Sequence, residues 1–152
     1  MFNYWYTLLI VVGIGIDQFS KYIAQETLSF VSGNTIISNV LTFQLVYNQG
    51  AAYGILSGQR FLLLTISILV LVGIIYFRHS LARTPLSRIG LSFLVIGTVG
   101  NFIDRALHGY VIDFIYLPLL PIFNVFNIAD ISINIGMIAL LYDVFFEKKD
   151  VI

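Results

Sequence analysis

Four long runs without a charge govern what this chain can fold into. Met1–Ile16, Phe61–Phe77 and Ile89–Ile103 hold no Asp, Glu, Lys or Arg. A fourth run, Ile131–Tyr142, is extended on the far side of Asp130 by Val125–Ala129. The hydrocarbon core of a bilayer, about 30 Å thick, takes about 20 residues of helix to cross. Allowing for polar ends, the runs predict membrane spans at about 4–24, 60–78, 86–105 and 125–146. Four such segments in 152 residues are hard to pack as one water-facing domain. The charged fraction of 11% and mean hydropathy of +0.93 agree, since an ordinary soluble domain carries about 25% charged residues. The chain is read as a single membrane-embedded domain, 1–152. Its first run is read as a span and not a cleaved leader: no basic residue precedes it and no convincing small-x-small site comes after it.

The scarce charges then become informative. Eight basic residues balance eight acidic ones. No basic excess is available for a phosphate backbone, so no nucleic-acid partner is expected. Cysteine is absent, and His79 and His108 lack zinc-like spacing. Arg78, Arg83 and Arg88 fall between the second and third runs, and Lys148 and Lys149 in the C-terminal tail. Lys21, Arg60 and Arg105 fall on the other side. Basic loops favour the cytoplasm, so both termini are expected inside. Two outward segments, about 25–59 and 106–124, are left. Residues 35–47, TIISNVLTFQLVY, are β-branched and aromatic, and Gly109–Ile115 reads as a further short strand. Pro118 and Pro121 interrupt the chain beyond that strand. The expected architecture is an α-helical integral membrane protein of four transmembrane helices, with a small extracytoplasmic β-sheet.

Ionisable groups in apolar spans are costly and tend to be functional. Here they gather at the outward ends. Asp17 and Lys21 are four apart and share a helix face, where they can form a simple ion pair. Asn101, Asp104 and Arg105 share a face of the third span. An arginine beside a carboxylate in low dielectric can act as a structural brace. Asn127, Asp130 and Asn134 succeed one another at helical spacing in the fourth span. Asp130 falls about a turn and a half inside the estimated helix start, unless the N-cap shifts to Asn127. Asp113 interrupts the apolar run VIDF. Asp143, near the inner end, reads as interfacial. With no cysteine and no metal-type histidine spacing, paired carboxylates are the obvious chemistry left. Two carboxylates held close share a proton and can hydrolyse an amide through water. A carboxylate ring could equally hold a cation or relay protons through a transporter, and spacing alone does not separate these readings.

Five stretches, in order, carry a resemblance: DQFSK (17–21), NQGAAYG (48–54), GNFIDR (100–105), VIDF (111–114) and FNIAD (126–130). Together they resemble the prolipoprotein signal peptidases, the type II signal peptidases of bacterial membranes. The resemblance implies a membrane-embedded aspartic endopeptidase. Such an enzyme cuts the signal peptide from a prolipoprotein just before a cysteine that carries a diacylglyceryl group. It implies Asp113 and Asp130 as the catalytic pair. Asn48, Asn101, Arg105 and Asn127 match residues that line the pocket or support the pair, and Gly50 lies within the NQGAAYG stretch. Asp17, Lys21 and Asp104 match supporting positions. The outward sheet resembles the family's surface cradle, and 106–124 its flap over the site. No cofactor or metal and no obligate protein partner is implied; the partners are the diacylglyceryl-modified substrate and membrane lipids. The implied location is the inner or cytoplasmic membrane of a bacterial cell, multi-pass, with the site near the extracytoplasmic face. Gln49, Tyr53 and Ile112 depart from residues common in the family.

Overall fold

The computed structural model describes residues 4–30, 33–51, 54–120 and 124–146. Tyr53, Pro121 and the Lys148–Lys149 tail lie outside them. The elements run α1 (Tyr4–Thr27), β1 (Asn34–Ile37), β2 (Leu41–Asn48), α2 (Arg60–Leu81), α3 (Pro85–Leu107), β3 (Val111–Tyr116) and α4 (Ile128–Phe146). The four helices have 24, 22, 23 and 19 residues. At 1.5 Å per residue they are about 29–36 Å long, the thickness of a bilayer core. All four are apolar enough to cross it. Their outer faces expose large apolar side chains such as Phe61, Ile75, Ile138 and Val144, as lipid-facing surfaces do.

The central helix is α3, which packs against α1, α2 and α4. Half of its most apolar stretch is buried. Its start is set locally. Thr84 caps it, with Thr84 and Ser87 exchanging side-chain-to-backbone bonds, and Pro85 occupies the first turn, where its missing N–H costs nothing. Thr84 Oγ1 also donates to Asp143 Oδ1, which ties the start of α3 to the last turns of α4. In lipid, helices associate through close packing of small residues and not through exclusion of water. Gly97 shows this most clearly. A Cβ there would collide with the Ala129 carbonyl oxygen and sit 2.6 Å from Ile133 Cγ1.

The strands form one antiparallel sheet in the order β1-β2-β3. Between the pairs Phe43–Ile115 and Val46–Asp113, β2 has one residue more than β3. This bulge places Val46 opposite Asp113, so Asn48, two residues on, is a same-face diagonal neighbour of Asp113. Phe126 pairs with Ile115 on the free side of β3, its N–H and C=O bonded at 2.9 and 2.8 Å. That bridge delivers the chain to the start of α4 beside Asp113. Of the segment 106–124 expected as a flap, 106 and 107 close α3 and 111–116 form β3; residues 121–123 lie outside the described residues. The fourth helix begins at Ile128, three residues later than the hydropathy pattern places it.

Adding one methyl at Gly97 should force α3 and α4 apart and destabilise the protein by about 1–3 kcal/mol. Gly15→Ala is the control, because a Cβ there meets nothing within 4 Å. Thermal unfolding in detergent should show Gly97→Ala melting below the wild type and Gly15→Ala unchanged or higher.

Candidate active site

The ends of α1, α3 and α4 that carry polar residues meet β3 at one end of the bundle. Asp113, on β3, and Asp130, in the first turn of α4, converge there, and one residue touches both. Asn127 Nδ2 donates to Asp113 Oδ1 at 2.6 Å, while its backbone N–H donates to Asp130 Oδ2 at 3.2 Å. Asp130 N–H returns a bond to Asn127 Oδ1 at 2.9 Å. This reciprocal pair is a helix cap, with Asn127 as N-cap and Asp130 three residues on. Asp130 therefore lies in the first turn and not a turn and a half inside, where the positive end of the helix dipole faces it. Asn134 donates back to the Asp130 carbonyl at 3.0 Å and faces outward.

Each carboxylate has a second amide donor. Asn48 Nδ2 reaches Asp113 Oδ2 at 3.0 Å, as the sheet register dictates. Asn101 Nδ2 reaches Asp130 Oδ1 at 2.8 Å. Burial, and then the charge of Asp130, push the Asp113 carboxyl from its ordinary 3.8 up to about 7. The donors Asn48 and Asn127 and the charge of Lys21 oppose the shift but do not cancel it.

Beneath the pair lies a buried ionic group. Lys21, 1% exposed, has three hydrogens and three acceptors: Asp17 Oδ2 and Asp104 Oδ2 at 2.9 Å, and Asn101 Oδ1 at 3.2 Å. Asp17 Oδ1 accepts the Ala129 N–H at 2.8 Å, and Asp104 Oδ2 accepts the Ile112 N–H at 3.1 Å. Gly100 makes this possible, because a Cβ there would collide with Asp17 Oδ2. The brace expected of an arginine on α3 is instead this lysine on α1. Arg105 Nη2 donates to the Gly50 carbonyl at 2.8 Å, and Asn48 Oδ1 accepts the Gly50 N–H at 2.9 Å. Arg105 and Asn48 thus fix the 48–51 turn, with Arg105 in electrostatic reach of Asp130, Asp113 and Asp104.

A cavity of about 530 Å³ opens beside Asp113, lined among others by Val46, Gln49, Ser57, Tyr116 and Asn124. Sequence reasoning misses Tyr116, Ser57 and Asn124, because nothing local distinguishes them from other outward polar residues. It also misses Gln18, except as one letter of DQFSK. Gln18 Nε2 lies within 3.2 Å of Asp17 Oδ2, Asp104 Oδ1 and the Gly100 carbonyl. A second polar group one residue from Asp17, still inside an apolar span, is the signal that could have found it.

Residues 9–146 match the family model described as signal peptidase (SPase) II. The lipoprotein signal peptidase of Brevibacillus brevis is 39% identical over 146 residues, covering 95% of this chain and 97% of its own. That of Synechocystis is 41% identical over 138 residues, covering 90% and 84%. A bacterial membrane enzyme solved by the in meso method at 2.3 Å resolution superposes with a TM-score of 0.88 at 35% identity, over 99% of this chain and 96% of that one. A multi-pass helical bundle with two aspartates converging at one end, matched in sequence and fold over nearly its full length, leaves one assignment: the chain belongs to the type II signal peptidases, intramembrane aspartic peptidases that process lipoprotein signal peptides.

Proposed function

We propose that Asp113 and Asp130 are the catalytic pair, in a single membrane-embedded unit that cuts a prolipoprotein just before its diacylglyceryl-modified cysteine. The observation that carries the reading is Asn127, which donates to one carboxylate through its side chain and to the other through its backbone. Two acids held by one residue in a desolvated site share a proton between them. The ionised member takes a proton from water as the water oxygen attacks the scissile carbonyl carbon. The protonated member gives its proton to the carbonyl oxygen. Collapse of the tetrahedral intermediate breaks the C–N bond: the protonated carboxyl gives its proton to the leaving nitrogen while the ionised one takes the proton of a hydroxyl on the intermediate, which returns the pair to its single shared proton. Asn48, Asn101 and Asn127 hold the carboxylates in register. Arg105 steadies the turn at Gly50, against which a substrate backbone can lie.

The lipid portion of the substrate fits the lateral apolar surface of the helices, and its signal peptide is itself a membrane segment. A protease whose substrate is anchored by acyl chains gains by lying in the same bilayer. The termini are placed in the cytoplasm and the site at the extracytoplasmic face of a bacterial cell membrane. Burial of Lys21 in ion pairs strengthens that orientation. It leaves Arg60 and Arg105 as the remaining cations at the site end among the described residues, against Arg78, Arg83 and Arg88 at the other.

Purified protein given a diacylglyceryl-modified prolipoprotein should release the peptide that ends just before the modified cysteine. Asp113→Asn and Asp130→Asn should each lower the rate by about 10²–10⁴-fold while still folding. Absence of that cut by the wild type, or normal cleavage by either variant, overturns the reading.

The Asp113 carboxyl also sets two pH dependences. Above about 7 it ionises, the pair loses the proton that it must donate, and kcat/KM should fall with rising pH. For stability, its proton is held more tightly in the folded state, at about 7, than at the ordinary 3.8. The unfolded chain therefore loses that proton first. Stability should fall as pH rises between these values and level off above 7. A series of melting curves should show this slope in the wild type and its loss in Asp113→Asn.

A further inference from the structure

Asp17 and Asp104 take no part in the proton transfers, yet both are almost completely buried. Each accepts the backbone N–H of the residue immediately before a proposed catalytic aspartate: Asp104 takes Ile112, and Asp17 takes Ala129. Two donors join these grips. Lys21 pairs with Oδ2 of both carboxylates at 2.9 Å. Gln18 Nε2 lies 3.1 Å from Asp17 Oδ2 and 3.0 Å from Asp104 Oδ1. Lys21 and the Ile112 N–H therefore share one oxygen of Asp104, and Gln18 holds the other. With both oxygens held, the Asp104 carboxylate cannot turn about its Cβ–Cγ bond.

We infer that Gln18 is a positioning residue: with Lys21 it ties the Asp17–Ala129 and Asp104–Ile112 grips into one buried bridge that sets the spacing of Asp113 and Asp130. The inference rests on the catalytic pair proposed above. Gln18 bonds to neither carboxylate of that pair, and it does not line the cavity beside Asp113. It acts through two other residues and two backbone amides. Lys21 supplies the charge that makes the burial of two carboxylates tolerable. Gln18 is neutral, so its removal loosens the bridge without leaving an unpaired charge. Displacement of a reacting group by a fraction of an ångström lowers the rate of chemistry with little effect on ground-state binding.

The test uses the full chain in detergent or bilayer, with the diacylglyceryl-modified prolipoprotein as substrate. Wild type and Asp113→Asn are run first. If the wild type leaves the substrate uncut, or Asp113→Asn cleaves normally, the catalytic reading fails and this inference fails with it. If they behave as proposed, Gln18→Met decides, because methionine keeps the length and loses both donors. The expected result is a melting temperature within about 4 °C of wild type, which corresponds to no more than about 1–2 kcal/mol. KM should stay within about twofold and kcat should fall about tenfold or more. If the methionine variant does not fold, Gln18→Asn is read in its place, since its shorter side chain cannot span both carboxylates. A smaller fall in kcat, a loss carried by KM, or failure of both variants to fold overturns the inference. The last of these marks Gln18 as a strut of the fold.

Discussion

The interaction on which the rest depends is the buried ammonium of Lys21 between two carboxylates. A charge of this kind is stable only when fully paired, because removing one partner from a buried ion pair costs about 3–5 kcal/mol. Here all three of its hydrogens have acceptors, contributed by α1 and α3. The acceptors have further duties. Asp17 satisfies an N–H that the start of α4 leaves unpaired, and Asp104 satisfies one on β3. One cation thus holds four elements in register, and the residues next in sequence to the two gripped amides are Asp113 and Asp130. The site is defined at its base before any substrate enters.

The glycines of α3 serve the same end from the packing side. Gly97 lets α4 come close enough for its first turn to stand over α3, and Gly100 leaves room for the Asp17 carboxylate. In a water-soluble protein an exposed helix glycine would weaken the helix by about 1 kcal/mol relative to alanine. In lipid the gain from close helix contact offsets that cost. Asp113 and Asp130 then lie where α1, α3, α4 and the sheet meet, in a setting dry enough to raise the Asp113 carboxyl to about 7.

Much of this is legible in the sequence, for physical reasons that differ by element. The spans announce themselves because lipid tolerates no charge along a helix, and the strands 34–37, 41–48 and 111–116 lie where β-branched and aromatic residues cluster. The outlying polar residues Asp17, Lys21, Asn101, Asp104, Asn127 and Asp130 stand out for the same reason. Pairing over distance cannot be read in that way. Nothing local says that Asp17 will meet residue 129, that Arg105 will hold the Gly50 carbonyl, or that Gln18 will lie between two aspartates. Hydropathy places the start of α4 too early because it extends through Val125–Phe126, whereas the helix waits for the cap that Asn127 supplies.

The span of the ionic bridge along the chain has a consequence for biogenesis. Its members come from positions 17–21, 101–104, 112 and 129. Translation delivers the first of these long before the last. Until α4 has entered the bilayer, Asp17 has no helix start to cap and Asp113 has no second carboxylate beside it. With Asp113 and Asp130 as the proposed catalytic pair, hydrolytic competence arises only with the final insertion step. A nascent or half-inserted chain is chemically silent toward the membrane proteins around it.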